Sequence, residues 1–302
     1  MSASGLGDHL HVDTCEFILR SGNTNCAGCG MSLALQLLQR GMGDEPLTLC
    51  IPACCGIVTA GAFPTSAYGV PVIATTFASA AAVASGVSTV AQLNGDPGHT
   101  AVWAGDGGTY DIGMATLSAA AERNEDVLYF CYDNEVYGNT GGQRSGATPE
   151  GAVTSTTPGG KLRPKKDVAA ILAAHKVPYV ATLSAAHQED FLRKLETAKG
   201  IRGFRFLLIH SPCPVGWKSD PADSVELLRL AVSSGLFPLY EVFDGERYRL
   251  NAGPDGTSVE EYFKRQGRFR KGTVDVAHVE RAIADRWARL ELLEAMCPAD
   301  VE

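Results

Sequence analysis

Between Ala104 and Thr140 the chain reads AGDGGTYDIGMATLSAAAERNEDVLYFCYDNEVYGNT, and the order of pieces in this stretch restricts the fold sharply. Two apolar runs, Thr100–Ala104 and Val127–Cys131, flank a helical pattern that starts near Asp111. Strand, helix and strand in that succession read as a unit with parallel strands. The first strand ends in Gly105-Asp106-Gly107-Gly108, and the second ends in Asp133-Asn134-Glu135-Val136-Tyr137. Both turns then fall at the carboxyl ends of strands, where open α/β sheets place ligands. Glycines beside Asp106 let backbone approach a ligand without a Cβ in the way, and the following helix offers N–H groups to an anion.

At 302 residues, 45% of them hydrophobic, the chain can bury a large core. A net charge of −8 gives no reason to expect nucleic acid. No apolar run reaches the length of a membrane span. The opening MSASGLGDHLHVDTCEF has neither the basic start nor the apolar core of a secretory signal. A cytoplasmic protein with no membrane partner is the expectation. The nine cysteines are odd in number and include one CxxC, Cys26 and Cys29, which favours a metal or cluster site over disulfides. With the adjacent pair Cys54-Cys55 and with Cys213-Pro214 they supply four thiolates. Such a set holds a [4Fe–4S] cluster, where a Cys-Pro ligand is common, or structural zinc. Two CxxC pairs would favour zinc. One pair and two isolated ligands favour the cluster.

These pieces occur in the same order in a known family. CAGCG at 26–30, GDGGTYDIG at 105–113 and YDNEVYGNTGGQRSGATPEGA at 132–152 are followed by TTPGGK at 156–161, HKVPYVATLS at 175–184 and SPCPVGW at 211–217. The chain resembles the β subunits of 2-oxoacid:ferredoxin oxidoreductases, most of all the pyruvate:ferredoxin oxidoreductase (pyruvate synthase) type. The resemblance implies thiamine diphosphate bound through Mg²⁺, with Asp106, the Asn134 side chain and the Val136 backbone oxygen as metal ligands. That is an oxygen set of the kind a hard cation takes. Gly105, Gly107, Gly108, Tyr137, Gly138 and Thr140 are implied around the cofactor. Cys26, Cys29 and Cys213 are implied as ligands of a [4Fe–4S] cluster. The fourth is Cys54 or Cys55: an ungapped reading from Gly30 favours Cys54, while Val58, Thr59 and Tyr68 fit Cys55 about as well. Asn139 falls where pyruvate-type enzymes keep an asparagine facing the substrate. Relatives specific for 2-oxoglutarate resemble Tyr-x-Met-Thr-Gly there, so Tyr137-Gly138-Asn139-Thr140-Gly141 points to pyruvate or another small 2-oxoacid.

The implied activity is oxidative decarboxylation of a 2-oxoacid, or its reverse, with coenzyme A as co-substrate and electrons leaving for ferredoxin or flavodoxin. The alternatives are the same chemistry on oxalate or 2-oxoisovalerate, a non-redox thiamine diphosphate decarboxylase, and a zinc-binding scaffold. In related enzymes the carboxylate that activates thiamine lies on a pyrimidine-binding domain. No such domain fits beside the motifs at 20–220, and there is no C-x₂-C-x₂-C-x₃-C run. A pyrimidine-domain (α) subunit and ferredoxin-like subunits are therefore implied as partners.

The layout is a doubly wound, mostly parallel α/β sheet with helices on both faces. Residues 1–219 form the cofactor-binding domain with the cluster cysteines, and 220–302 an extension for subunit contacts. Within this frame, 1–20 reads as an irregular arm, Ser32–Arg40 as a helix and Leu47–Ile51 as a strand. Phe77–Leu93 reads as a small-residue helix and Asp111–Arg123 as the helix after the glycine turn. Gly138–Lys166 is a long loop of the functional kind. Asp167–His175 and Gln188–Lys199 read as helices, Tyr179–Thr182 and Arg205–His210 as strands. Further on, Val225–Ser234, Val259–Phe263 and Val276–Leu293 are helical, with a hairpin at 239–242 and 247–250. His99, His175, His187 and His210 read as structural. Arg144 could reach a carboxylate or phosphate, or be a solvated loop arginine, and Lys161 and Lys165-Lys166 could contact coenzyme A phosphates but read more simply as a solvent-facing basic stretch.

Overall fold

The computed structural model describes residues 17–62, 64–270 and 272–297, so most of the expected 1–20 arm lies outside the described residues. Eight strands form one sheet: β1 (Leu47–Pro52), β2 (Val72–Thr75), β3 (His99–Gly105), β4 (Val127–Asp133), β5 (Tyr179–Ser184), β6 (Phe204–His210), β7 (Leu239–Phe243) and β8 (Arg247–Ala252). Their order is β2-β1-β3-β4-β6-β5-β7-β8. The first six run parallel, and β7 and β8 add an antiparallel edge next to β5.

Alternate residues of each central strand serve opposite cores. Leu49, Ile51, Trp103, Phe130 and Ile209 face one side, where α1 (Gly30–Met42) and α6 (Gln188–Gly200) pack. Cys50, Val102, Tyr129, Cys131 and Leu208 face the other, covered by α3 (Ala80–Asn94), α4 (Met114–Glu122), α5 (Val168–Ala174) and α8 (Ser224–Ser233). Cys50 and Cys131 are thus core residues. Sheet-wide runs such as VLYFCYD, buried along their whole length, mark a sheet covered on both faces.

The expected strands and helices are present with small shifts of their ends. Three features depart from the sequence reading. Strand β2, four residues at the sheet edge, has no alternating pattern and was not expected. The helix placed at Asp111–Arg123 begins earlier: Gly107–Asp111 is a π-helical turn, and α4 follows at Met114. The hairpin after 219 continues the main sheet, and Leu227, Leu239, Tyr262 and Leu290 join its core. The short helices are α2 (Cys55–Val58), α7 (Pro214–Trp217) and α9 (Val259–Lys264), and α10 (Val276–Met296) closes the described chain. No helix among the described residues is long and apolar enough to cross a membrane.

Candidate cofactor site

Strands β1, β3 and β4 are neighbours, and the segments leaving their carboxyl ends line a cavity of about 840 Å³. Strand order reverses between β1 and β3, the switch point at which α/β sheets hold ligands. Asp106, at the end of β3, already has helical backbone and leads into the π turn. Single π turns gather at functional sites. A Cβ on Gly107 would stand 1.8 Å from the Tyr137 ring, so the tyrosine closes over the turn only because residue 107 is glycine. The Tyr137 hydroxyl donates to Asp111 at 2.6 Å, and Asp111 also accepts from Gly146 N at 2.9 Å, which ties the long loop to the turn.

The Asp106 carboxyl is buried and accepts from the Ser145 hydroxyl. Burial first, then the neighbouring Asp133, push its pKa well above the ordinary carboxylate range. No ion pair reaches Asp106 among the described residues. A divalent cation would supply the missing charge. Asn134 and Val136 line the same cavity, and the Asn134 oxygen accepts only a long bond, 3.4 Å from Val136 N. Carboxylate, amide and backbone oxygens form a donor set that fits Mg²⁺ and a diphosphate. Gly105, Gly108, Gly138, Asn139 and Thr140 line this cavity as well. Asn139 and Thr140 are exposed at its mouth.

Between the two oxygen donors, Glu135 has a left-handed backbone, φ +63°. It is buried between Lys165 Nζ at 2.7 Å and an Arg268 guanidinium nitrogen at 2.6 Å. Lys165 also meets Asp133 at 2.6 Å. Burial raises the Glu135 pKa, but the Lys165 and Arg268 charges overcome it and hold the group at about 2. Its folded pKa lies below the ordinary 4.5, so the ionised pair stabilises the fold fully above about pH 4.5 and loses that contribution as pH falls towards 2. Thermal melts between pH 5 and 2 are therefore expected to fall more steeply for the native chain than for Glu135→Gln. Parallel curves would show that Glu135 is not held ionised.

The basic stretch corrects the sequence reading. Lys161 is buried and donates to Gly146 O and Pro164 O, both at 3.3 Å, and Lys165 is consumed by Asp133 and Glu135. Lys161 is shut from solvent, and Lys165, half-buried, spends its charge on the two carboxylates. His210 is buried, stacked on Phe237, and burial lowers its pKa to about 3, so it is a neutral structural residue.

Cys29, Cys55 and Cys213 lie near one another at the edge of the same site, and among the described residues no three cysteines, histidines or carboxylates stand close enough to hold a metal ion as they are. Helix α1 runs back along the sheet, so its N-cap Cys29 lies at the carboxyl edge, and Gly30 N donates to Pro212 O at 2.9 Å. Gly28 has φ +68°, and a Cβ there would stand 2.4 Å from Pro221 O, so the CxxC loop seats against the chain after Cys213 only as glycine. The two adjacent thiols diverge. Cys55 and Cys213 sulfurs both stand 3.6 Å from the point a Cβ on Gly138 would occupy. Burial, then the neighbouring Cys213, Cys54 and Cys29, push the Cys55 thiol up to about 12. The Asn139 N–H points at Cys55, and Gly216 N donates to Cys213 Sγ at 3.4 Å. Cys54 is half-buried, its thiol set against the Tyr132 hydroxyl and Gly105. Cys26 is exposed. Sequence reasoning missed Tyr132, Glu135 and Arg268, each visible only through its packing.

Residues 54–210 match the thiamine pyrophosphate enzyme family, C-terminal TPP-binding domain. This sets the class: a thiamine diphosphate-binding α/β domain. The chain is 42% identical over 288 residues to ketoisovalerate oxidoreductase subunit VorB of Pyrococcus horikoshii, covering 90% of this chain and 92% of that protein. It is 44% identical over 262 residues to pyruvate synthase subunit PorB of Methanothermobacter thermautotrophicus, covering 84% and 90%. A solved 2-oxoglutarate:ferredoxin oxidoreductase from Magnetococcus marinus shares the fold, with a TM-score of 0.58 over 70% of this chain and 79% of that one at 23% identity. The chain belongs to the PorB/VorB family, the β subunits of 2-oxoacid:ferredoxin oxidoreductases.

Proposed function

We propose that this subunit carries the thiamine diphosphate and a [4Fe–4S] cluster of a cytoplasmic oxidoreductase that converts pyruvate and coenzyme A to acetyl-CoA and CO₂, or runs the reverse. Ferredoxin or flavodoxin exchanges the electrons. One observation carries the reading: the oxygen donors Asp106, Asn134 and Val136 share a cavity with Cys55, whose thiol has those of Cys213 and Cys29 as neighbours. A decarboxylase without redox chemistry has no use for those thiols.

In this reading Asp106, Asn134 and Val136 hold Mg²⁺, and the glycine turn takes the diphosphate. Cys26, Cys29, Cys55 and Cys213 hold the cluster, so the preference for Cys54 gives way to Cys55. The cofactor supplies the electron sink for decarboxylation. Asn139 faces the substrate, and Arg144, the one cation among the described residues lining the cavity, takes an anionic group of substrate or coenzyme A. The exposure of Asn139 and Thr140 fits a site completed by an α subunit carrying the pyrimidine pocket. Ferredoxin-like subunits dock near the exposed Cys26. Residues 220–302 serve subunit contact as well as the sheet edge: α10 buries only Trp287 and Leu290 and leaves Leu292 and Met296 exposed.

The 42% identity to a ketoisovalerate enzyme subunit supports a second reading, in which 2-oxoisovalerate is the substrate. Anaerobic viologen reduction by the chain co-purified with its α subunit separates the two. The highest kcat/KM is expected with pyruvate, and almost no turnover with the isolated chain. Preference for 2-oxoisovalerate would reassign the substrate, and preference for 2-oxoglutarate would overturn both readings.

A further inference from the structure

We propose that Glu135, Lys165 and Arg268 are positioning residues of the metal turn, a buried clamp that locks residue 135 in its left-handed backbone and so fixes Asn134 and Val136 beside Asp106. The inference rests on the Mg²⁺ reading given above.

The argument starts from an anomaly. A φ of +63° disfavours every residue with a Cβ, and glycine would adopt it freely. A glutamate at such a position must be held there by its side chain. Both Glu135 carboxylate oxygens are engaged, one by Lys165 and one by Arg268. The backbone is held too, since the Thr148 hydroxyl donates to Glu135 O at 2.7 Å. Arg268 reaches the turn by a second route. Its guanidinium lies 4.1 Å over the Trp217 ring, and the Trp217 indole N–H donates to Asn134 O at 2.8 Å. Lys165 ties Glu135 to Asp133, whose carboxylate also accepts from the Tyr110 hydroxyl at 2.7 Å. The turn that offers two oxygens to the ion is thus pinned by the β6–α8 connection, the long loop and the 220–302 segment.

Arg268 lies well beyond residues 54–210, the matched thiamine diphosphate-binding domain. The C-terminal segment therefore takes part in the cofactor site as well as in the sheet edge. Groups that orient metal ligands from behind typically change metal affinity 10–100-fold when removed. Arginine is specified over lysine by the combination of an ion pair and ring stacking.

The test uses the co-purified complex with Glu135→Gln, Arg268→Gln and Arg268→Lys. Titration calorimetry with thiamine diphosphate and Mg²⁺ should show binding weakened about 10–100-fold in the first two variants. Arg268→Lys, which keeps the charge but loses the fork and the stacking, should recover only part. With Mn²⁺ in place of Mg²⁺ at saturating cofactor, the electron paramagnetic resonance spectrum should change in all three, a signature that loosening elsewhere would not produce. Arg268→Lys is the variant best able to fold, and native affinity with a native Mn²⁺ spectrum there would overturn the clamp. Asp106→Ala is the control: if it binds cofactor normally, the metal reading itself has failed, whereas lost binding in Asp106→Ala beside native binding in the clamp variants refutes the clamp alone.

Discussion

An Asp106→Ala chain is expected to fold and to hold no Mg²⁺–thiamine diphosphate. In the structure the Asp106 carboxyl sits buried, next to Asp133, and among the described residues no ion pair reaches it. Burying a charged group without a partner costs free energy unless the group stays protonated. Its presence therefore weakens the cofactor-free fold, and its removal should leave the melting temperature of that form unchanged or slightly raised. The loaded form behaves in the opposite way. A ligand at a hundredfold excess over its Kd adds about 2.7 kcal/mol to stability, which is several degrees of melting temperature in a chain of this size. The native chain should show that rise on adding Mg²⁺ and thiamine diphosphate in its complex, and Asp106→Ala should show none. A native-sized rise in the variant would remove Asp106 from the metal site.

How far the sequence reveals this site depends on the range of the interactions that build it. The strand–turn–helix unit around Asp106 and the strand ending in Asp133-Asn134 are local patterns, and both could be read directly. The π turn could not, and neither could the Tyr137 ring closing over Gly107, a contact across thirty residues. Strand β2 was missed since four residues at an edge carry no alternation. Lys165 read as a surface charge because lysines next to lysines generally are. Its half-buried place depends on Asp133 and Glu135, and a cation so paired leaves no mark in its own neighbourhood. A glutamate between two oxygen donors was the one visible hint, and its partner Arg268 lies 133 positions away.

The adjacent cysteines give the sharpest remaining test, because the sequence favoured Cys54 only slightly and the two thiols have different neighbours in the structure. Consecutive residues project their side chains in different directions, and here the two thiols of the doublet take different neighbours. Cys54, two residues past β1, caps α2 in extended backbone and turns its sulfur to Tyr132, whose hydroxyl also accepts from Gly56 N at 2.9 Å. Cys55 opens α2 and turns its sulfur towards Cys213 and Cys29. Thiolates that ligate a cluster gain from N–H donors, and such donors stand at Cys55 (Asn139 N–H) and Cys213 (Gly216 N–H). Burial and the neighbouring thiols raise the pKa values of the free Cys55 and Cys213 to about 12 and about 11. Metal ions would reverse that by holding both as thiolates. Cys55→Ser should therefore lose the brown absorbance, the iron and electron transfer to ferredoxin, as should Cys26→Ser and Cys29→Ser. Cys54→Ser should keep native iron content and electron transfer, changing at most the cofactor affinity, since Cys54 also lines the cofactor cavity. Iron analysis of anaerobically purified complexes decides between the two. Loss of iron in Cys54→Ser with retention in Cys55→Ser would return the fourth ligand to Cys54 and mean that the β1–α2 turn rearranges around the cluster.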